Sequence, residues 1–134
     1  MSSDDYLTRY FQQLAKVLAA LMGLYEKKKY QQAIDEINQV LDTWFALSLD
    51  ELDGKSALEL NEMVMNTPDQ KMEKARSIAE LLYQKTINLR AMNKMEEAIA
   101  TSKISLLLFK SIDEKGDDFS IEIQQRIAEL DQMA

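Results

Sequence analysis

Apolar residues recur at three- and four-residue spacing through almost the whole sequence, which is the period of one face of a helix. They run from Tyr6 to Tyr25 in the first such segment and from Tyr30 to Phe45 in the second. No segment combines alternation of apolar and polar residues with the β-branched enrichment typical of strands. The sequence also has only 3 Gly and 1 Pro to interrupt helices. It therefore predicts an all-α fold.

Local start and stop signals divide the chain into about five main helices. We expect these over about 4–29, 30–46, 67–92, 94–112 and 117–133, with an irregular short-helix segment over 48–66. Short joins between neighbours favour antiparallel helical hairpins. In the third main helix the inward face is expected to comprise Met72, Ala75, Ala79, Leu82, Thr86 and Leu89. In the fourth, the second half is apolar nearly all round and should be buried on two sides.

Three kinds of residue pattern mark the ends of these helices. Ser48-Leu49-Asp50-Glu51 and Ser56-Ala57-Leu58-Glu59 fit the capping box, in which a serine and a glutamate satisfy each other's backbone N–H groups. Thr67-Pro68 is the start signal of the third main helix, and Asn93 can close it with a left-handed residue. In the last helix, Glu122 and Arg126 are expected to pair on the solvent face.

Length and composition narrow the class of protein. With 134 residues, the chain predicts a single helical domain over 1–134. It has no Cys and no His, which excludes thiolate nucleophiles, Ser–His catalysis and zinc sites built on these ligands.

A net charge of −7 disfavours nucleic acid and anionic membranes as partners. No segment is apolar enough for a membrane span, and the N-terminus lacks a secretory signal, so we expect a cytoplasmic protein without cofactor or metal.

An internal repeat with an offset of 65 residues joins the two halves of the chain. Laid over 86–106, the segment 21–41 aligns Lys29 with Lys94 and Ala33 with Ala98. The shared pattern is a helix, a tight turn and a second helix with a small residue in its first turn. We expect both alanines to lie where two helices approach closely.

The two segments Lys29-Tyr30-Gln31-Gln32-Ala33-Ile34 and Lys94-Met95-Glu96-Glu97-Ala98-Ile99 resemble the turn and second-helix start of tetratricopeptide (TPR) repeats. The resemblance covers about 14–47 and 79–112. It implies TPR-like hairpins in a right-handed arrangement with a C-terminal capping helix. More loosely, Asp5-Tyr6 and the later Tyr-x-x-Ala-Ile hairpin are similar to a family of small bacterial helical proteins of unknown function.

TPR domains bind peptides or helices in a groove lined by the first helix of each hairpin. Carried over by the resemblance, the partner groove comprises Ala15, Leu18, Ala19, Met22, Tyr25, Glu80, Tyr83, Gln84, Ile87 and Arg90. The first function that we expect is a non-catalytic interaction module that presents this apolar groove to a protein or peptide. One alternative is a small-ligand-binding or enzymatic domain with a site near Tyr83 and Arg90. Another is an obligate homodimer that binds only itself.

Overall fold

The computed structural model describes residues 3–64, 71–115 and 120–133. These residues form seven helices and no strand, which confirms the all-α class. The helices are α1 (Ser3–Glu26), α2 (Tyr30–Phe45), α3 (Leu49–Leu52), α4 (Ala57–Val64), α5 (Lys71–Ala91), α6 (Met95–Lys115) and α7 (Ile121–Met133). The helix start predicted at Thr67 and Pro68 lies outside the described residues. Among the described residues, none of the helices has the length and apolar character needed to cross a bilayer.

The capping box predicted at Ser56 is complete, and the one predicted at Ser48 is half formed, because Glu51 accepts from the Ser48 hydroxyl and not from its backbone N–H. The backbone N–H of Glu51 donates to Ser48 Oγ at 3.4 Å, and the Ser48 hydroxyl contacts the Glu51 carboxylate at 3.2 Å. At the start of α4 the exchange is reciprocal, because the N–H of Ser56 donates to Glu59 Oε1 and the N–H of Glu59 donates to Ser56 Oγ. These bonds satisfy amides that the first turn of a helix leaves without partners.

The turns after α1 and after α5 have the same backbone geometry. Lys28 and Asn93 both adopt the left-handed conformation, with φ of 62° and 64°. In each turn the next residue donates its N–H to the carbonyl five positions back, at 2.8 Å from Lys29 and 2.9 Å from Lys94. This is the hydrogen-bond pattern of the Schellman motif. The repeat predicted from the sequence is therefore present in the backbone of the two turns.

Neighbouring helices pack largely in chain order. The two helices of each pair, α1 with α2 and α5 with α6, contact each other, and α2 also packs against α5. Helix α7 covers α6 from the other side, and α4 contacts both α5 and α6. Ile104, Leu108 and Phe109 are buried in the second half of α6, as its apolar pattern predicts.

Helix α5 is buried on nearly every side. From Ala75 to Leu89, only positions 76, 80 and 87 are partly exposed, and the other residues are buried. The expected inward face is buried from Ala75 onward, but polar residues on the other sides of the helix, such as Ser77 and Asn88, are buried too. These side chains bond to carbonyls of their own helix, at 2.8 Å and 2.7 Å. Internal bonding of this kind lets polar residues occupy a buried surface.

The two repeat-related alanines are both buried. Ala33 is fully covered in the main core, and Ala98 packs with Ile34 and Leu89 at the junction of α2, α5 and α6. A larger side chain at either position has no free volume to enter.

We therefore expect Ala33→Leu to lower the free energy of unfolding by about 1–3 kcal/mol through overpacking. Ala20→Leu is the matched control, because Ala20 is exposed on α1 and its replacement should change stability by less than about 0.5 kcal/mol. Urea unfolding of both variants measures the difference. Equal stability of the two would show that Ala33 does not mark a close approach.

Candidate functional site

The face of α5 between α1 and α7 contains two cavities, which together we call the groove. Residues 73–80 of α5 line the first, the inner cavity, and residues 87–91 line the second, the turn-end cavity. Tyr83 and Gln84 lie between them along the helix, and both are buried. The two cavities thus follow each other along about 27 Å of α5, at 1.5 Å per residue.

The inner cavity has an apolar floor and a charged rim. Its volume is about 620 Å³. Apolar side chains come from α1, α6 and α7, and they are Leu14, Ala15, Leu18, Phe109 and Ile123. Charged side chains come from α5 and α7, and they are Glu73, Arg76, Glu80, Glu122 and Arg126. An apolar depression with a polar border is typical of binding sites for molecules with one apolar face.

Three side-chain contacts join α5 to α7, and we call them the charge ladder. Arg76 contacts Glu122 at 2.9 Å, Arg126 forms a two-pronged bond to Glu80, and the Tyr83 hydroxyl donates to Glu129. The partner on α7 is 46 positions later in every case. The two helices therefore run in the same direction. The expectation that Glu122 and Arg126 pair with each other on the solvent face is wrong, because both reach across to α5.

Arg126 is the centre of the ladder. Its Nη2 lies 2.8 Å from Glu80 Oε1, and its Nε lies 3.1 Å from both carboxylate oxygens. Its guanidinium carbon lies 3.9 Å from the centre of the Tyr83 ring, a cation–π contact. Burial alone lowers the pKa of Arg126, but the hydrogen bonds and charge of Glu80 outweigh it, so the pKa is raised.

Tyr83 is held in its neutral form. Burial raises the pKa of its phenol to about 12, and the hydrogen bond to Glu129 acts in the same direction. The positive charge of Arg126 opposes this shift only partly. At neutral pH the phenol is therefore a hydrogen-bond donor that fixes the position of α7.

The turn-end cavity lies where α1 ends and α5 turns into α6. Its volume is about 350 Å³. Apolar lining comes from Tyr25, Ile87, Ala91, Met95 and Met133. Arg90 and Asn93 are the polar residues in its wall. Met95 is 45% exposed and Arg90 is also exposed, so this cavity opens to solvent.

The structure divides the ten expected groove residues into four groups. Ala15, Leu18 and Glu80 line the inner cavity, and Tyr25, Ile87 and Arg90 line the turn-end cavity. Ala19 and Met22 are exposed on α1, with Met22 at 53%. Tyr83 and Gln84 are buried between the two cavities, so they differ from the expected open lining. Tyr83 is buried between the two cavities and Arg90 lines the turn-end cavity, so these two residues do not share a cavity.

Sequence reasoning missed the contributions of α6 and α7. The sequence patterns place Arg126 on the solvent face and do not indicate that Phe109 and Ile123 line a cavity. A signal for the ladder does exist in the sequence. Arg76 and Glu80 have the same four-residue spacing as Glu122 and Arg126 but the opposite order of charge, which is what two parallel helices in register need.

One buried cation lies away from the groove. Lys85 donates to Asn38 Oδ1 at 2.7 Å and so links α5 to α2. Burial lowers the pKa of Lys85, although the charges of Glu97 and Asp50 limit the change. Within the described ranges, no three acidic side chains converge in a way that could hold a metal ion.

The charge ladder predicts a measurable interaction energy between Glu80 and Arg126. In a double-mutant cycle, Glu80→Ala and Arg126→Ala should show a coupling energy above about 1 kcal/mol, because the bond is two-pronged and the side chains are only 21% and 29% exposed. The control cycle uses Lys110 and Asp131, which lie 3.6 Å apart and are about half exposed. Its coupling should stay below about 0.5 kcal/mol. Similar values in the two cycles would contradict a special role for Arg126.

A second prediction concerns high pH. Between pH 10 and 12, Tyr83 loses its proton in the unfolded chain but keeps it in the folded protein. The folded state therefore binds more protons than the unfolded state, and the free energy of unfolding falls as the pH rises. Relative to Tyr83→Phe, the wild type should lose about 1.4 kcal/mol per pH unit in this range. Urea unfolding of both proteins across the range measures this difference. If the free energy of unfolding of the wild type and of Tyr83→Phe changed with pH by the same amount, the pKa of the Tyr83 phenol would not be raised.

Comparisons with known proteins give no relative for this chain. No protein-family model matches it, and neither a curated protein nor a solved structure does. No residue role is therefore carried over from another protein. The groove, with its two cavities and the charge ladder that fixes α7 beside α5, is the feature from which a function is inferred.

Proposed function

We propose that this protein is a non-catalytic interaction module whose groove holds an amphipathic helix of a partner protein. The observation that carries the proposal is the inner cavity of about 620 Å³, with its apolar floor and charged rim. Clefts of about 300–1,000 Å³ hold drug-sized groups, so this cavity has room for a few bulky side chains. Bulky apolar side chains on one face of a helix suit such a space, because their burial supplies most of the binding energy.

The length of the groove supports a helix as its occupant. The two cavities follow one another along about 27 Å of α5, which is the length of a helix of about 18 residues. Ala15 on the wall of the inner cavity is small and exposed, so a partner backbone can approach α1 closely. Met22 and Tyr25 extend the apolar surface of α1 toward the turn end. TPR proteins, which the repeat resembles, bind peptides in grooves of comparable position.

The charge ladder supports a binding role rather than a catalytic one. Its members already bond to one another, and the Tyr83 phenol stays protonated. Charged groups that are fixed in this way form a polar rim that limits the entry of water to an apolar contact. The alternative of a ligand or enzymatic site near Tyr83 and Arg90 has less support, because these residues do not share a cavity.

A photo-crosslinking experiment tests the proposal. A photoreactive residue at Met22, on the groove side of α1, is expected to capture a partner protein in native lysate. Ala15→Arg should abolish the capture by placing a long charged side chain over the apolar floor. Ala20→Arg, with the same chemical change at an exposed position away from both cavities, should leave it intact. Circular dichroism and thermal unfolding confirm that both variants fold.

Two results would contradict the proposal. Capture that is equal in the Ala15→Arg and Ala20→Arg backgrounds would mean that the groove is not the contact surface. A crosslinked product with twice the mass of the chain, together with a dimer in light scattering, would support the homodimer alternative instead.

A further inference from the structure

Cations without partners gather at the turn end of the molecule. Tyr25 and Met95 line one cavity, so the end of α1 and the start of α6 lie together. The turns at this end carry Lys27, Lys28, Lys29, Arg90 and Lys94. None of these five forms a side-chain hydrogen bond or an ion pair with any described residue. Elsewhere in the described chain, Lys55, Arg76, Lys110 and Arg126 are paired, whereas Lys16, Lys74 and Lys103 form no ion pair; the turn end differs in carrying five such cations together.

Helix dipoles explain only part of this arrangement. Both α1 and α5 end here, and cations are favourable near the C-terminal carbonyls of a helix. The dipoles do not account for the open apolar cavity beside them. Arg90 lies in the wall of that cavity among Tyr25, Ile87 and Met133. A guanidinium within an apolar wall can bind a carboxylate while the rest of the ligand is buried.

The overall charge of −7 does not prevent an acidic ligand from binding here. At physiological ionic strength, charges separated by more than about 8 Å are largely screened. The same turns also carry Glu26, Glu96 and Glu97, so the five cations leave a local excess of two positive charges that attracts an acidic ligand. Within the charge ladder, Arg76 and Arg126 offset two of the three carboxylates, which leaves a net charge of −1 there.

From these observations we infer that the turn-end cavity binds an acidic segment of the partner helix. An apolar side chain of that helix enters the cavity beside Tyr25 and Met95, and its neighbouring carboxylates bond to Arg90 and to the turn lysines. This inference rests on the proposed function and specifies the chemistry of the partner. A peptide is favoured over an anionic bilayer because the apolar residues here line a cavity of about 350 Å³, which takes single side chains, rather than one long apolar helix face.

Fluorescence anisotropy with labelled peptides tests the inference. The acidic probe is a blocked helix of about 18 residues with the repeating sequence Leu-Glu-Glu-Leu-Leu-Glu-Glu, which places its leucines on one face. The basic probe replaces every Glu with Lys. The wild type should bind the acidic probe at least about tenfold more tightly than the basic one, and added salt should weaken the binding. Vesicles that contain phosphatidylserine serve as the membrane arm.

Two charge-reversal variants locate the contact. Arg90→Glu should weaken binding of the acidic probe at least about tenfold. Lys16→Glu is the matched control, because Lys16 is exposed on α1 and lines neither cavity. It should weaken binding by less than about twofold. Both side chains are exposed, so both variants are expected to fold.

Several outcomes would overturn the inference. These are failure of the acidic probe to bind, equal binding of the two probes, and equal losses in Arg90→Glu and Lys16→Glu. Binding to vesicles but not to the acidic peptide would assign the turn end to a membrane. A wild-type dimer that Arg90→Glu converts to a monomer would assign it to a second copy. If Ala15→Arg abolishes peptide binding and Arg90→Glu does not, the proposed groove stands and only the acidic contact is wrong.

Discussion

The burial of α5 on nearly every side is the constraint on which the rest of the structure depends. A helix in that position must satisfy its polar side chains without water, since an unpaired buried group costs about 1–3 kcal/mol. Among the described residues, only Gln84 Oε1 and Asn88 Oδ1 are buried polar side-chain atoms without a partner. Lys85 meets this need through Asn38 on α2, and Ser105 of α6 donates to the carbonyl of Ala79 at 2.8 Å. On the side of α7 the same need is met by the charge ladder. Helices α2, α6 and α7 are therefore each positioned beside α5 by a specific polar contact as well as by apolar packing.

This arrangement also determines the shape of the groove. The ladder fixes α7 beside α5 in a single register, because a shift by one residue would separate all three pairs. Helix α1 lies on the side of the groove opposite α7 and contributes small or apolar residues such as Ala15 and Leu18. The space between the two helices is thus bounded on one side by paired charges and on the other by an apolar surface. That asymmetry suits a ligand with one apolar face and one polar face.

Features that depend on a few neighbouring residues could be predicted from the sequence. The capping box at Ser56, the N-cap bond at Ser48 and the left-handed Asn93 are local, and the structure contains them. Features that depend on several helices could not. The polar residues of α5 look solvent-exposed in a single helix, and only the positions of its neighbours bury them. Arg126 has a suitable partner four residues away in Glu122, so the sequence favours a local pair that the packing replaces with Glu80.

The twin turns after α1 and α5 have a consequence for the length of the chain. One turn has Lys28 at its left-handed position and the other has Asn93, yet the backbone hydrogen bonds match. The side chain at that position therefore does not define the turn. The segment 30–94 begins and ends at equivalent points of the two turns, so a second copy of it would meet the original at a junction that the fold already uses. The architecture is in this sense modular, and it can be lengthened by a whole unit without a new kind of connection.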